Sequence, residues 1–131
     1  MKFHERENII MQSSSVVGGY ISTGFYFGAA AGSSLGVITG APAGTAVGFT
    51  VGALLIPLGL IYNTVNHIPM NATNLLSLIA TPYTSSLIGT ECGIVVGGLA
   101  GGLFFGGVGA AAGFCVGKVI EPAAHARLGY K

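Results

Sequence analysis

The side chains able to do chemistry in this chain are few and stand apart. Cys92 and Cys115 lie in apolar segments with no CxxC spacing. That reads as a pair of small buried hydrophobes, in preference to a disulfide or a metal ligand set. His4 and His125 fall near the two ends and His67 in a polar stretch. No metal-site spacing joins them, so no metal is expected. Asn71-Ala72-Thr73 has the form of a glycosylation acceptor. Gly107-Val108-Gly109 has the GxG form without the preceding strand that phosphate binding requires. Glu91 is the one acid inside an apolar region. In a bilayer such an acid is a functional-site candidate. Its place, about one turn into an apolar segment, also suits a carboxylate that reaches the headgroups and favours the positive amino end of a helix. The interfacial reading is preferred, with Glu91 kept as a possible intramembrane polar site. The hydroxyls of Ser13, Ser14, Ser15, Ser22, Thr23, Ser33, Ser34, Thr45 and Thr50 suit hydrogen bonds to helix carbonyls or across helices. No acid–base pair stands with them, so no catalytic residue, no cofactor and no enzyme activity is expected.

The elements that carry these residues are unusual in composition. Of 131 residues, 51% are hydrophobic, 7% are charged and 23 are glycine, whereas a soluble domain is about 25% charged. No Asp, Glu, Lys or Arg occurs between Glu7 and Glu91, and none between Glu91 and Lys118. A water-soluble fold would need charged faces along that length, so the chain is read as an integral membrane protein. A net charge of +1 with unclustered basic residues gives no nucleic-acid surface. The start, MKFHERENIIMQ, mixes acids with bases, unlike a signal peptide, and is read as mature.

Hydropathy and turn signals divide the chain as follows. Residues 1–14 form a polar tail. Residues 15–63 form a first transmembrane hairpin, two runs of roughly 20 residues either side of Gly40-Ala41-Pro42, since Pro42 disfavours helix at the residue before it. Residues 64–86 form a polar loop in which Asn74–Ile79 can lie as an interfacial helix. Residues 87–120 form a second hairpin, with Gly101-Gly102 and Gly106-Gly107 as places to turn and one long tilted helix as the alternative. Residues 121–131 form a charged tail. The expected fold is an all-α membrane bundle of two glycine-zipper hairpins, four spans in all. Basic residues flank both ends and are absent from the connections. Both termini are therefore placed on one side, cytoplasmic or matrix-like, of a bacterial or mitochondrial inner membrane. The stretches Gly28–Gly36 and Gly109–Gly117 echo one another, as a duplicated hairpin would.

The strongest pattern is the spacing of glycine. Gly24, Gly28, Gly32, Gly36, Gly40, Gly44, Gly48 and Gly52 recur at every fourth position. Gly89, Gly93, Gly97 and Gly101 form a second series, and Gly109, Gly113 and Gly117 a third. In water each glycine costs a helix about 1 kcal/mol relative to Ala. In lipid an unpaired backbone amide costs several kcal/mol, so helix is enforced. A step of four overshoots one turn by about 40°, so the glycine face winds around the helix and favours several close contacts over one straight dimer seam.

In its repeated GxxxGxxxG runs the chain resembles glycine-zipper membrane proteins. It is similar in size, span count and glycine spacing to the Tim17/Tim22/Tim23 family. That resemblance implies four glycine-rich spans and a part in inner-membrane protein import, or in complex I as an accessory subunit. Bacterial glycine-zipper proteins, including secreted membrane-inserting effectors, match the pattern as well. None of these carries a catalytic residue over. The expected function is a non-enzymatic subunit or scaffold of a larger membrane complex, with lipid and other transmembrane helices of a homo- or hetero-oligomer as partners and no nucleic acid. An oligomeric pore former, and a small channel using Glu91, are the alternatives.

Overall fold

A computed structural model describes the backbone of residues 3–127, with side chains from Ser15 onward except His125. The described residues form two helices and no strand: α1, Phe3–Val65, and α2, Ala72–Arg127. Within them, Ser15–Val65 and Ala72–Ala124 are long and apolar enough to cross a membrane.

Two helices stand where four spans were expected. α1 stays helical through Gly40-Ala41-Pro42 and again through Pro57, and α2 through Gly101-Gly102 and Gly106-Gly107. Proline's fixed φ is compatible with helix. It does remove one backbone donor and crowd the carbonyl four residues back, while Gly36, Gly40 and Gly44 keep backbone contacts on both sides of Pro42. The expected loop over 64–86 shrinks to residues 66–71. Asn74–Ile79 belongs to α2 rather than to a separate interfacial helix. Ser77, Thr81, Thr84, Ser86 and Thr90 explain the change, because each hydroxyl donates to a carbonyl three or four residues back. Hydroxyls bonded in this way hide their polarity inside the helix. Residues 3–14, expected as a tail, continue α1, and residues 121–127 continue α2 through Pro122. The expected tail residues 128–131 lie outside the described residues.

The connection between the helices has a clear local cause. His67 has a φ of 52°, the left-handed conformation that ends many helices. Ile68 N–H donates to the Asn63 carbonyl at 2.9 Å, and His67 N–H to the Thr64 carbonyl at 3.3 Å. These are the paired bonds of a Schellman motif, followed at once by Pro69. Asn71 precedes α2 in the favoured cap position, and the Asn74 amide donates to the Pro69 carbonyl at 3.0 Å.

The chain divides into two compact units, one of residues up to Ser34 with those from Ala100, the other Leu35–Leu99. Each is an antiparallel pair of segments, one from α1 and one from α2. Their interior is unusual, since Val17 is the one buried hydrophobic side chain among the described residues. The other buried positions are mostly glycines, including Gly32, Gly36, Gly52, Gly102, Gly106, Gly113 and Gly117. Large apolar side chains such as Phe27, Leu54, Leu76, Leu103 and Val119 face outward.

The glycine seam as candidate functional site

In Leu35–Leu99 the two backbones touch without side chains between them. A Cβ built on Gly36 would overlap the carbonyl of Gly97, one on Gly40 that of Gly93, and one on Gly44 that of Gly89. In all three pairs the overlap is reciprocal. Each step of four forward along α1 is met by a step of four backward along α2. Gly48 continues the series against the Ser85 carbonyl, and at Gly52 an added Cβ would stand 2.6 Å from Pro82 Cα. At Gly59 the neighbour is no longer backbone but the tip of the Leu78 side chain.

The unit that joins residues up to Ser34 with those from Ala100 repeats the pattern. Gly24 and Gly109 exclude each other's Cβ, Gly28 meets the Phe105 carbonyl, Gly32 the Gly101 carbonyl, and Gly113 the Tyr20 carbonyl. Gly117 is looser, with Val17 Cα at 3.2 Å. Gly18, Gly19 and Gly107, which lie outside the four-residue series, have nothing within 4 Å of an added Cβ.

The physical content of the seam follows from that geometry. Where a Cβ would overlap a carbonyl oxygen, the glycine hydrogen in its place points toward that oxygen, a Cα–H···O contact worth about 0.5–1 kcal/mol. Close backbone approach adds dispersion, which lipid does not weaken. The seam advances by four in both partners, more than the 3.6 residues of one turn, so within each unit the segments wind right-handed.

One polar contact interrupts the glycines. Thr45 Oγ1 and Thr90 Oγ1 lie 2.6 Å apart across the helix pair. Thr45 also reaches the Ala41 carbonyl at 2.8 Å, and Thr90 the Ser86 carbonyl at 2.7 Å. Each hydroxyl has one proton, so two protons serve three short contacts. In any one arrangement, one hydroxyl bonds its own helix and the other gives its proton across.

Fourteen glycines of the expected series would bring an added Cβ within 3.3 Å of backbone on the paired segment, and Gly101 presents its carbonyl to Gly32. The gap expected between the second and third series is filled by Phe105, which presents its backbone in step with them. Tyr20, Phe105 and Ser85 were not anticipated as seam residues, although counting one more step of four from Gly24, Gly101 and Gly89 reaches each of them. The Thr45–Thr90 pair was missed as well, and nothing in the sequence announces it. Glu91 is not in the seam but exposed beside it. Cys92 and Cys115, expected to be buried, are free and exposed on the outer faces. The apolar environment that suggested burial is, for them, the outside of the helix pair. Among the described residues no group of His, Cys, Asp or Glu is arranged to hold a metal ion. No family model, curated protein or solved structure matches the chain.

Proposed function

We propose that this chain is a non-enzymatic integral membrane protein that serves as a structural or assembly subunit of a larger membrane complex, its helices held together by a glycine zipper. The observation that carries this reading is the inversion of the usual core. The buried line is glycine, while Phe27, Leu54, Leu76, Leu103, Phe104 and Val119 are each more than 60% exposed. Apolar surface of that extent is covered by lipid or by other helices. Because the glycines are used within the chain, partners meet the outer apolar faces.

Apolar stretches of 51 and 53 residues exceed the roughly 20 that cross a bilayer once. In lipid each helix therefore either bends back, giving four crossings, or lays its excess length against partner chains. A pore through one helix pair has no room, since the paired backbones are in contact. Gentle detergent extraction followed by sizing and identification of co-purified chains tests the reading. The expected result is a particle well above 13.1 kDa of protein mass with stoichiometric partners. A monodisperse monomer with none would overturn it.

A further inference from the structure

From Asn8 through Thr90 the chain has no Asp, Glu, Lys or Arg, and Glu91, which ends that run, is the next residue. The Thr45–Thr90 contact puts those two residues at one level of the Leu35–Leu99 helix pair. From there α1 runs 45–65 to the connecting loop, and α2 returns over 72–90. At about 1.5 Å per residue these legs are about 30 Å and 27 Å long. The hydrocarbon core of a bilayer is about 30 Å thick. Asn63, Asn66, His67, Asn71 and Asn74 cluster at the loop end. The other end carries Glu91, exposed on the outer face, where a carboxylate is tolerated only near water. Between them Ser77, Thr81, Thr84 and Ser86 bond their hydroxyls to their own helix, which lowers the cost of placing them in hydrocarbon.

We propose that residues 45–65 and 72–90 form a bilayer-deep hairpin, with the 66–71 loop at one membrane–water interface and Thr45, Thr90, Glu91 and Cys92 at the other. The occupant of its outer face is lipid hydrocarbon, selected by matching length, by Glu91 ending the charge-free run of α2, and by the polar groups of the loop at the other end. This rests on the membrane reading above and adds to it a depth for each residue. It also moves α2 over 72–86 from the water phase into the membrane, and it puts the native Cys92 at an interface.

The test uses the full-length chain in phosphatidylcholine vesicles, with a membrane-impermeant maleimide on both faces. Cys92 is read in a Cys115→Ser background. His67→Cys, Leu58→Cys and Ile79→Cys are read one at a time in a background lacking both native cysteines. Leu58 and Ile79 are more than half exposed, so neither exchange disturbs packing. Cys92 and the loop position should label readily. Positions 58 and 79 should label at least about tenfold more slowly, since hydrocarbon disfavours the reactive thiolate. Cys92 as slow as position 58 would overturn the proposed interface and leave the membrane reading intact. Fast labelling at 79 with slow labelling at 58 would put α2 on the surface and overturn the hairpin. Fast labelling at every position would overturn both the hairpin and the membrane reading.

Discussion

Gly107 and Gly109 sit two residues apart on α2 and separate the seam from mere glycine content. An alanine Cβ at 109 would overlap the Gly24 carbonyl oxygen, stand 2.9 Å from its carbon and 3.2 Å from Gly28 Cα, whereas one at 107 meets nothing within 4 Å. To relieve the overlap the segments must part by about 1 Å. A gap of that size forfeits a quarter to a half of each nearby dispersion contact. The reciprocal pair of Cα–H···O contacts, together about 1–2 kcal/mol, goes as well. Adding an overpacking cost of about 1–3 kcal/mol and crediting about 1 kcal/mol of helix propensity, we expect Gly109→Ala to destabilise pairing by about 2 kcal/mol. Gly107→Ala has only the propensity gain and should be neutral or slightly stabilising. The assay is energy transfer between dyes at Phe27→Cys and Phe104→Cys, both exposed, in a background lacking native cysteines, during titration of a mild detergent with a denaturing one. A midpoint for Gly109→Ala equal to or above that of Gly107→Ala would refute the seam as the source of pairing energy.

Other outcomes follow from the same geometry. In a double-mutant cycle, Thr45→Val and Thr90→Val should couple by about 0.6–1.7 kcal/mol, the range of hydrogen bonds between membrane helices; additive effects would show the contact to be idle. Gly52→Ala should weaken pairing more than Gly59→Ala, because the first confronts Pro82 backbone and the second a movable Leu78 tip; the reverse order in the same titration would contradict this. His67→Gly should leave pairing unchanged or stronger, and His67→Val should lower it by about 1–2 kcal/mol, since a left-handed φ strains a β-branched side chain more than histidine and spares glycine. Equal midpoints for these two would argue that the connecting turn contributes nothing.

The sequence revealed the packing period more readily than the number of helices. A step of four among glycines is a geometric statement, and Gly24, Gly40, Gly44 and Gly93 meet partner backbone as that step implies. The supposed turn at Gly40-Ala41-Pro42 was a local preference, and it lost to its surroundings. Gly36, Gly40 and Gly44 all hold backbone contacts across it, and a break there would surrender them. The loop expected over 64–86 rested within 72–86 on Asn74 and Pro82; Asn74 instead bonds the Pro69 carbonyl at the start of α2, and Pro82 lies within the helix against Gly52. Register was illegible altogether, since glycine recurs on both sides. The Thr45–Thr90 pairing depends on it and could not be read.

That recurrence has a consequence for specificity. A track of evenly spaced glycines is nearly translation-symmetric: slide one strand of it by four residues and most contacts reappear unchanged. The energy that holds the helices together therefore says little about where along one another they stop. The few positions that break the symmetry must supply that information: the Thr45–Thr90 pair, the Phe105 and Ser85 interruptions, Pro82 opposite Gly52, and a connecting turn too short to take up slack. The glycines act as the adhesive, and these residues act as the ruler.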